Sequence, residues 1–247
     1  MPERPPPTAS PGLFDGLLPD RAHAADCLGD PVGLRAHPVE EAELGAAAVD
    51  RRRREFTTAR WCARRALAAA GAPDPTGPLR RGRRGEPLWP AGFTGSITHS
   101  ADYRAAVAAP ARRGGVLGID AERAVPLRPA VVAAIASGEE LAHLAALPAV
   151  AGLPWETLLF SVKEAVYKAW NPLTADPLTF RSVRVAFLPG TDPGPGVPGG
   201  RGGSTGHLTA APAGPAPEAG PALPVLSGRY RAACGLLVCV VHSRPSA

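Results

Sequence analysis

Cysteine is scarce in this chain of 247 residues: there are four, Cys27, Cys62, Cys234 and Cys239. None falls in a C-x-x-C pair or at zinc spacing, so neither a disulfide framework nor a zinc module organises the fold, and reduced thiols in a cytosol are the simplest reading. Long apolar runs are missing as well. No stretch approaches the roughly 20 apolar residues that span a bilayer, and the opening MPERPPPTASPG has no apolar h-region. A cytoplasmic protein without a membrane partner is expected. An acidic balance is absent too: the net charge of +5 suits an anionic ligand or an acidic partner, although it bears on association rather than on fold. Self-similarity between the two halves is too weak to show an internal repeat. Apolar content is ordinary, and the length suffices for one large domain or two of about 100 residues each.

Two segments carry chemistry. In VLGIDAE, Val116 to Glu122, an apolar lead reads as a strand, and alternation sends Asp120 and Glu122 to one face and Ile119 and Ala121 to the other. Two carboxylates on one face can share a hard cation, and Mg²⁺ takes one or two carboxylates and completes its shell with water and phosphate oxygens. In FSVKEAVYKAW, Phe160 to Trp170, Leu159, Val166, Ala169 and Trp170 recur at helical spacing, while Lys163, Glu164, Tyr167 and Lys168 make the other side. Each segment alone is also what a solvated surface pair looks like, worth a few tenths of a kcal/mol.

Taken together they are specific. Upstream stand R52-R-R-E-F-T-T-A-R-W-C-A-R-R-A-L67, R84-G-E-P-L-W-P90 and G95-S-I-T-H-S100. With G118-I-D-A-E122 and F160-S-V-K-E-A-V-Y-K-A-W170, these segments resemble, in order and spacing, the 4′-phosphopantetheinyl transferase superfamily. The form is that of the surfactin-type single-chain enzymes, in the branch of the enterobactin synthetase component D type. The resemblance spans about Val49 to Thr174.

What the resemblance implies is an α/β (α+β) fold of two similar subdomains in one chain, packed as an internal pseudo-dimer with coenzyme A in the cleft. The implied reaction moves the 4′-phosphopantetheine arm of coenzyme A to a serine of an apo acyl or peptidyl carrier protein, a holo-[acyl-carrier-protein] synthase type of activity. It releases adenosine 3′,5′-bisphosphate and depends on Mg²⁺, and the branch favours polyketide or nonribosomal peptide (siderophore-type) biosynthesis. By the same resemblance, Asp120, Glu122 and Glu164 hold the metal, Glu164 accepts the serine proton, and Lys168 meets the departing bisphosphate. Lys163 is a further phosphate contact. Arg52 and Arg60 match coenzyme A contacts, as does one of Arg81 and Arg84 near the adenine nucleotide. Thr98 and His99 match the segment that binds the 3′-phosphate. Arginine forks suit phosphate oxygens.

Two other classes fit less well. A Mg²⁺-dependent nuclease of the restriction type wants E-x-K on a strand, whereas Lys163 precedes Glu164 on a helix. A nucleic-acid module built on the arginine clusters needs no carboxylate triad. No nucleic-acid partner is expected, and a two-halved chain completes its cleft as a monomer.

Along the chain, residues 1–12 read as a disordered N-terminus, 13–114 as the first subdomain and 115–247 as the second. One helix is expected from near Glu40 to Leu67, ending before Gly71. Strands are expected over Gly95–Ser100, Arg104–Ala109, from Val116, over Arg181–Leu188 and over Arg229–Val241. Helices are expected over Pro129–Ile135, Gly138–Leu147 and Pro154–Trp170. Residues 189–224, about half Gly and Pro, read as a disordered insertion.

Overall fold

The computed structural model describes residues 12–45, 47–111, 115–174, 178–193, 203–214 and 222–243. The chain divides into two units; of the described residues, Gly12 and Pro19–Ala111 make one, and Leu13–Leu18 with everything from residue 115 onward make the other. The class is α+β.

In the first unit, strands β1 (His23–Leu28), β2 (Phe93–Ser100) and β3 (Tyr103–Pro110) form an antiparallel sheet in the order β1-β3-β2. Helices α1 (Pro38–Leu44) and α2 (Asp50–Ala69) stand in place of the single expected helix. The break falls at Gly45, whose φ of 74° is the left-handed conformation that ends a helix at little cost for glycine. α2 buries Cys62, Ala63, Ala66 and Leu67 in one core with Ala106 and Ala108 of β3; the small residues let helix and sheet lie close.

The second unit holds a five-stranded antiparallel sheet, β4 (Leu117–Arg123), β5 (Val183–Pro193), β6 (Ser204–Pro212), β7 (Leu226–Ala233) and β8 (Leu236–Ser243), in the order β4-β8-β7-β6-β5. Helices α3 (Pro129–Ile135) and α4 (Gly138–Ala146) precede the long α5 (Trp155–Trp170), whose apolar stripe of Leu158, Leu159, Val162, Ala165 and Val166 is fully buried. Ser137 and Glu140 cap α4 reciprocally.

Three expectations need correction. The span 189–224 is not a structureless insertion: β6 lies within it and pairs with β5 and β7. Its Gly and Pro average hid an alternating segment in which Gly206, Leu208 and Ala210 face inward, with Gly206 leaving room for the Tyr230 ring. Residues 194–202 and 215–221 of that span, and nearly all of the expected disordered N-terminus, lie outside the described residues. The single strand Arg229–Val241 is a hairpin, turned at Cys234 (φ 55°) and Gly235 (φ 72°), the two positive φ values of a tight strand-to-strand turn. The boundary at residue 13 also moves. Arg231 donates to the carbonyls of Leu13 and Asp15, both at 2.8 Å, so Leu13–Leu18 belongs with the second sheet.

Candidate active site

Glycine 118 makes the site in the second unit possible. A Cβ there would collide with the Ala165 carbonyl and the Ala169 methyl, so only glycine lets α5 lie directly against β4. That approach brings Asp120 under α5. Asp120 is buried; its Oδ1 accepts from Lys168 Nζ at 2.5 Å and its Oδ2 from Ser161 Oγ at 2.8 Å. Ser161 and Lys168 are two turns apart on α5, hence on one face. Glu164 lies between them, half-buried, and burial first and the Asp120 carboxylate second push its proton affinity above the ordinary carboxylate value, against the pull of Lys168. Beside Glu164 an open groove of about 240 Å³ is lined by Lys163, Tyr167, Leu178, Thr179, Phe180 and Val183.

This donor set fits a hard divalent cation. Two desolvated carboxylates act on each other as like charges, and a cation shared between them reverses that cost. Glu122 is on the same strand face as Asp120 but only half-buried. No group of three His, Cys, Asp or Glu side chains among the described residues is gathered as a metal site. Two protein carboxylates suffice for Mg²⁺ where water and phosphate fill the shell.

Lys163 requires a correction. Its ammonium donates to the Ile135 carbonyl at 2.8 Å, to Glu140 Oε2 at 2.8 Å and to the Phe180 carbonyl at 2.7 Å, which uses all three of its protons. The side chain is 1% exposed. It ties α5 to α4 and to the turn before β5 and is not available to a phosphate. The sequence carried the signal: position 163 lies one turn from Leu159 and from Val166, on the apolar stripe.

In the first unit, Arg52 and His99 meet around Glu55. Glu55 Oε1 lies 2.5 Å from His99 Nδ1 and 3.3 Å from an Arg52 nitrogen, and Arg52 stands 3.4 Å from His99 Nε2. Arg52 and His99 are both exposed, at 44% and 45% of their side chains. Thr98 is buried and alternates with the exposed His99 along β2. Arg60 is buried against the Phe56 ring, 4.7 Å from its centroid, and its Nε has no hydrogen-bond partner. Burial lowers its pKa to about 10; Glu40 raises it, whereas Arg81 and Arg64 lower it. Arg60 and Arg81 are therefore neighbours, in a cluster of cations only partly balanced by Glu40 and Glu43. Arg84 is exposed in the same loop. Sequence reasoning missed Glu55, Ser161, Glu40 and Glu43. Ser161 alone had a visible signal, its helical spacing from Glu164 and Lys168.

Residues 40–109 match the family model of the 4′-phosphopantetheinyl transferase N-terminal domain, and residues 116–206 match that of the 4′-phosphopantetheinyl transferase superfamily. The chain is 41% identical over 175 residues to the 4′-phosphopantetheinyl transferase Npt of Nocardia iowensis, an alignment covering 71% of this chain and 77% of that protein. It is 44% identical over 182 residues to the 4′-phosphopantetheinyl transferase Svp of Streptomyces mobaraensis, covering 72% of each. With the 4′-phosphopantetheinyl transferase PptT of Mycobacterium tuberculosis the identity is 45% over 166 residues, covering 66% of this chain and 70% of that protein.

Proposed function

The chain belongs to the 4′-phosphopantetheinyl transferase superfamily, and from that premise we propose that it moves the 4′-phosphopantetheine arm of coenzyme A onto a serine of an apo acyl or peptidyl carrier protein. The second product is adenosine 3′,5′-bisphosphate. The observation that carries this reading is the close approach of α5 to β4 at Gly118, which gathers Asp120, Glu164 and Lys168.

The serine oxygen bonds to the β-phosphorus of the coenzyme A diphosphate as the bond from that phosphorus to the bridging oxygen breaks. The step needs in-line positioning, a proton acceptor and a partner for the charge on the leaving group. Glu164 is the acceptor, as the half-buried carboxylate that opens on the groove beside α5. Lys168 is part-buried and already paired with one carboxylate; its ammonium turns toward the departing bisphosphate and meets its charge. Asp120 and Glu164 are the residues that would hold Mg²⁺; Glu122 follows on the same strand face but is not gathered with them. When bound, that ion neutralises the diphosphate and stabilises charge growing in the transition state.

In the first unit, Arg52 and His99 form the exposed pair suited to a phosphate monoester, and Arg60 with Arg81 or Arg84 forms a second cationic cluster for the nucleotide. The groove beside Glu164 has the mixed apolar and polar lining that a pantetheine arm would take. The acceptors are carrier domains of polyketide or nonribosomal peptide assembly of the siderophore type, and the enzyme acts in the cytoplasm as a monomer. No described helix is long and apolar enough to cross a membrane.

The test is chromatographic. Incubation with coenzyme A and an apo carrier protein should yield adenosine 3′,5′-bisphosphate in equal amount to holo carrier, with both lost in Lys168→Ala. Bisphosphate released without carrier modification would point to hydrolysis instead of transfer.

A further inference from the structure

The basic loop that carries Arg81 and Arg84 is a small closed structure. Leu88 N donates to the Arg80 carbonyl and Gly82 N to the Glu86 carbonyl, both at 2.8 Å, and Arg81 bridges to Pro87. Gly85 turns the tip at φ 85°, and a Cβ there would stand 3.2 Å from an Arg81 terminal nitrogen, so that guanidinium folds back over the tip. Hydrogen bonds inside a loop set its shape, but they do not set where it stands.

Helix α1 supplies that. Glu40 Oε1, fully buried, accepts from Leu79 N at 2.7 Å and from Arg64 at 2.6 Å. One turn on, Glu43 Oε2 accepts from Arg81 N at 2.8 Å while its Oε1 accepts from Arg80 Nε at 3.0 Å. The amides of residues 79 and 81 point the same way because alternate N–H groups of an extended segment do so, and the two carboxylates are three residues apart on one helix face. The helix is fixed in turn by its capping box of His37 and Glu40 and by Pro38 in its first turn. Glu40 is a core residue whose loss would disturb the whole unit. Glu43 has a side chain 19% exposed, engages the Arg80 guanidinium and the Arg81 amide, and acts on Arg60 through charge alone.

We infer that Glu43 is a positioning residue for the nucleotide end of coenzyme A: by gripping the Arg81 amide and the Arg80 guanidinium it fixes the basic loop in the posture in which Arg81 and Arg84 meet the anionic ligand. This rests on the reading that the loop contacts coenzyme A. Its contribution is preorganisation, since a loop held in its bound posture loses less freedom on binding. A carboxylate that merely sat near the ligand would act with the opposite sign, repelling the phosphates.

Calorimetric titration of the full-length protein with coenzyme A separates these. Glu43→Ala should raise the Kd about 3- to 10-fold, and the KM for coenzyme A in step, while kcat at saturation stays within twofold. Glu43→Gln, whose amide oxygen still accepts from the Arg81 amide, should lie closer to the parent. Unchanged affinity in Glu43→Ala, or tighter binding in both variants, would overturn the role. The double variant Arg81→Ala with Arg84→Ala tests the underlying reading alone: unchanged affinity there would remove the loop from the binding site whatever Glu43 does.

Discussion

In Pro19–Ala111 the pair of residues that would hold a phosphate, Arg52 and His99, is nearly half exposed, whereas in the unit from residue 115 onward three charged groups at or beside α5 go inward: Lys163 and Glu140 are 1% and 2% exposed and Asp120 is 5% exposed at its side chain. Both units solve the same packing problem, a long helix on an antiparallel sheet, and both use small residues to do it. The first uses alanines in β3 and α2; the second uses one glycine, Gly118, against Ala165 and Ala169. The difference lies in what the close approach serves. A binding surface tolerates side chains that swing in water. A transfer centre needs carboxylates and an ammonium fixed to within fractions of an ångström, and burial with directed hydrogen bonds fixes them. Charge is also buried in the first unit, at Glu40, Arg60 and Arg104, and of these Arg60 has an orphaned Nε that a ligand phosphate would resolve.

The contrast can be broken most severely at Lys163. Lys163→Met leaves Glu140 buried with its amide donors but no cation, so it should cost about 3–5 kcal/mol of stability. Denaturant unfolding checks this, and coenzyme A affinity of the folded fraction should not change. A large loss of affinity with intact stability would return Lys163 to the binding site. Lys168→Ala and Glu164→Gln should each lower turnover roughly a hundred- to a thousandfold, about 2.7–4 kcal/mol, in folded proteins by circular dichroism. Turnover near that of the parent in either would remove the assigned role.

Glu164→Gln has a second, opposite effect. The unfolded carboxylate titrates at the ordinary value of 4.5 and the folded one above it, so ionised Glu164 costs stability at neutral pH. In EDTA the variant should therefore melt higher than the parent at pH 7. The gain should fade as pH drops through the raised folded value and vanish below about 4.5. A variant less stable at pH 7 would mean that the carboxylate is favourably held. The smallest effect on folding is expected at Arg52→Ala: stability within about 0.5 kcal/mol, with coenzyme A bound more weakly and removal of its 3′-phosphate making little further difference. An undiminished preference for the 3′-phosphate in that variant would contradict the pairing with His99.

Much of the second unit was legible because its elements are long and periodic: α3, α4 and α5 fall within a residue or so of their expected bounds. The motif residues Asp120, Glu164 and Lys168 share a neighbourhood because strand alternation and helix spacing are local rules. What stayed hidden depends on tertiary partners. Strand β1 pairs with β3 some eighty residues away, and Leu13–Leu18 is held through its carbonyls by Arg231, which leaves no trace in composition. Cys-Gly is not among the usual hairpin dipeptides, yet it adopts the same positive φ pair and so hid the β7–β8 turn. Lys163 was misread because lysine is polar by type; its position on the apolar stripe was the better guide.

The most direct measurement is the intact mass of an apo carrier protein after incubation with this protein and coenzyme A, in Mg²⁺ and in EDTA, with Glu164→Gln alongside. The account predicts a gain of one phosphopantetheine in Mg²⁺, none in EDTA, and almost none with the variant. A gain that survives both EDTA and the loss of the Glu164 carboxylate would contradict a transfer centre built where α5 meets β4.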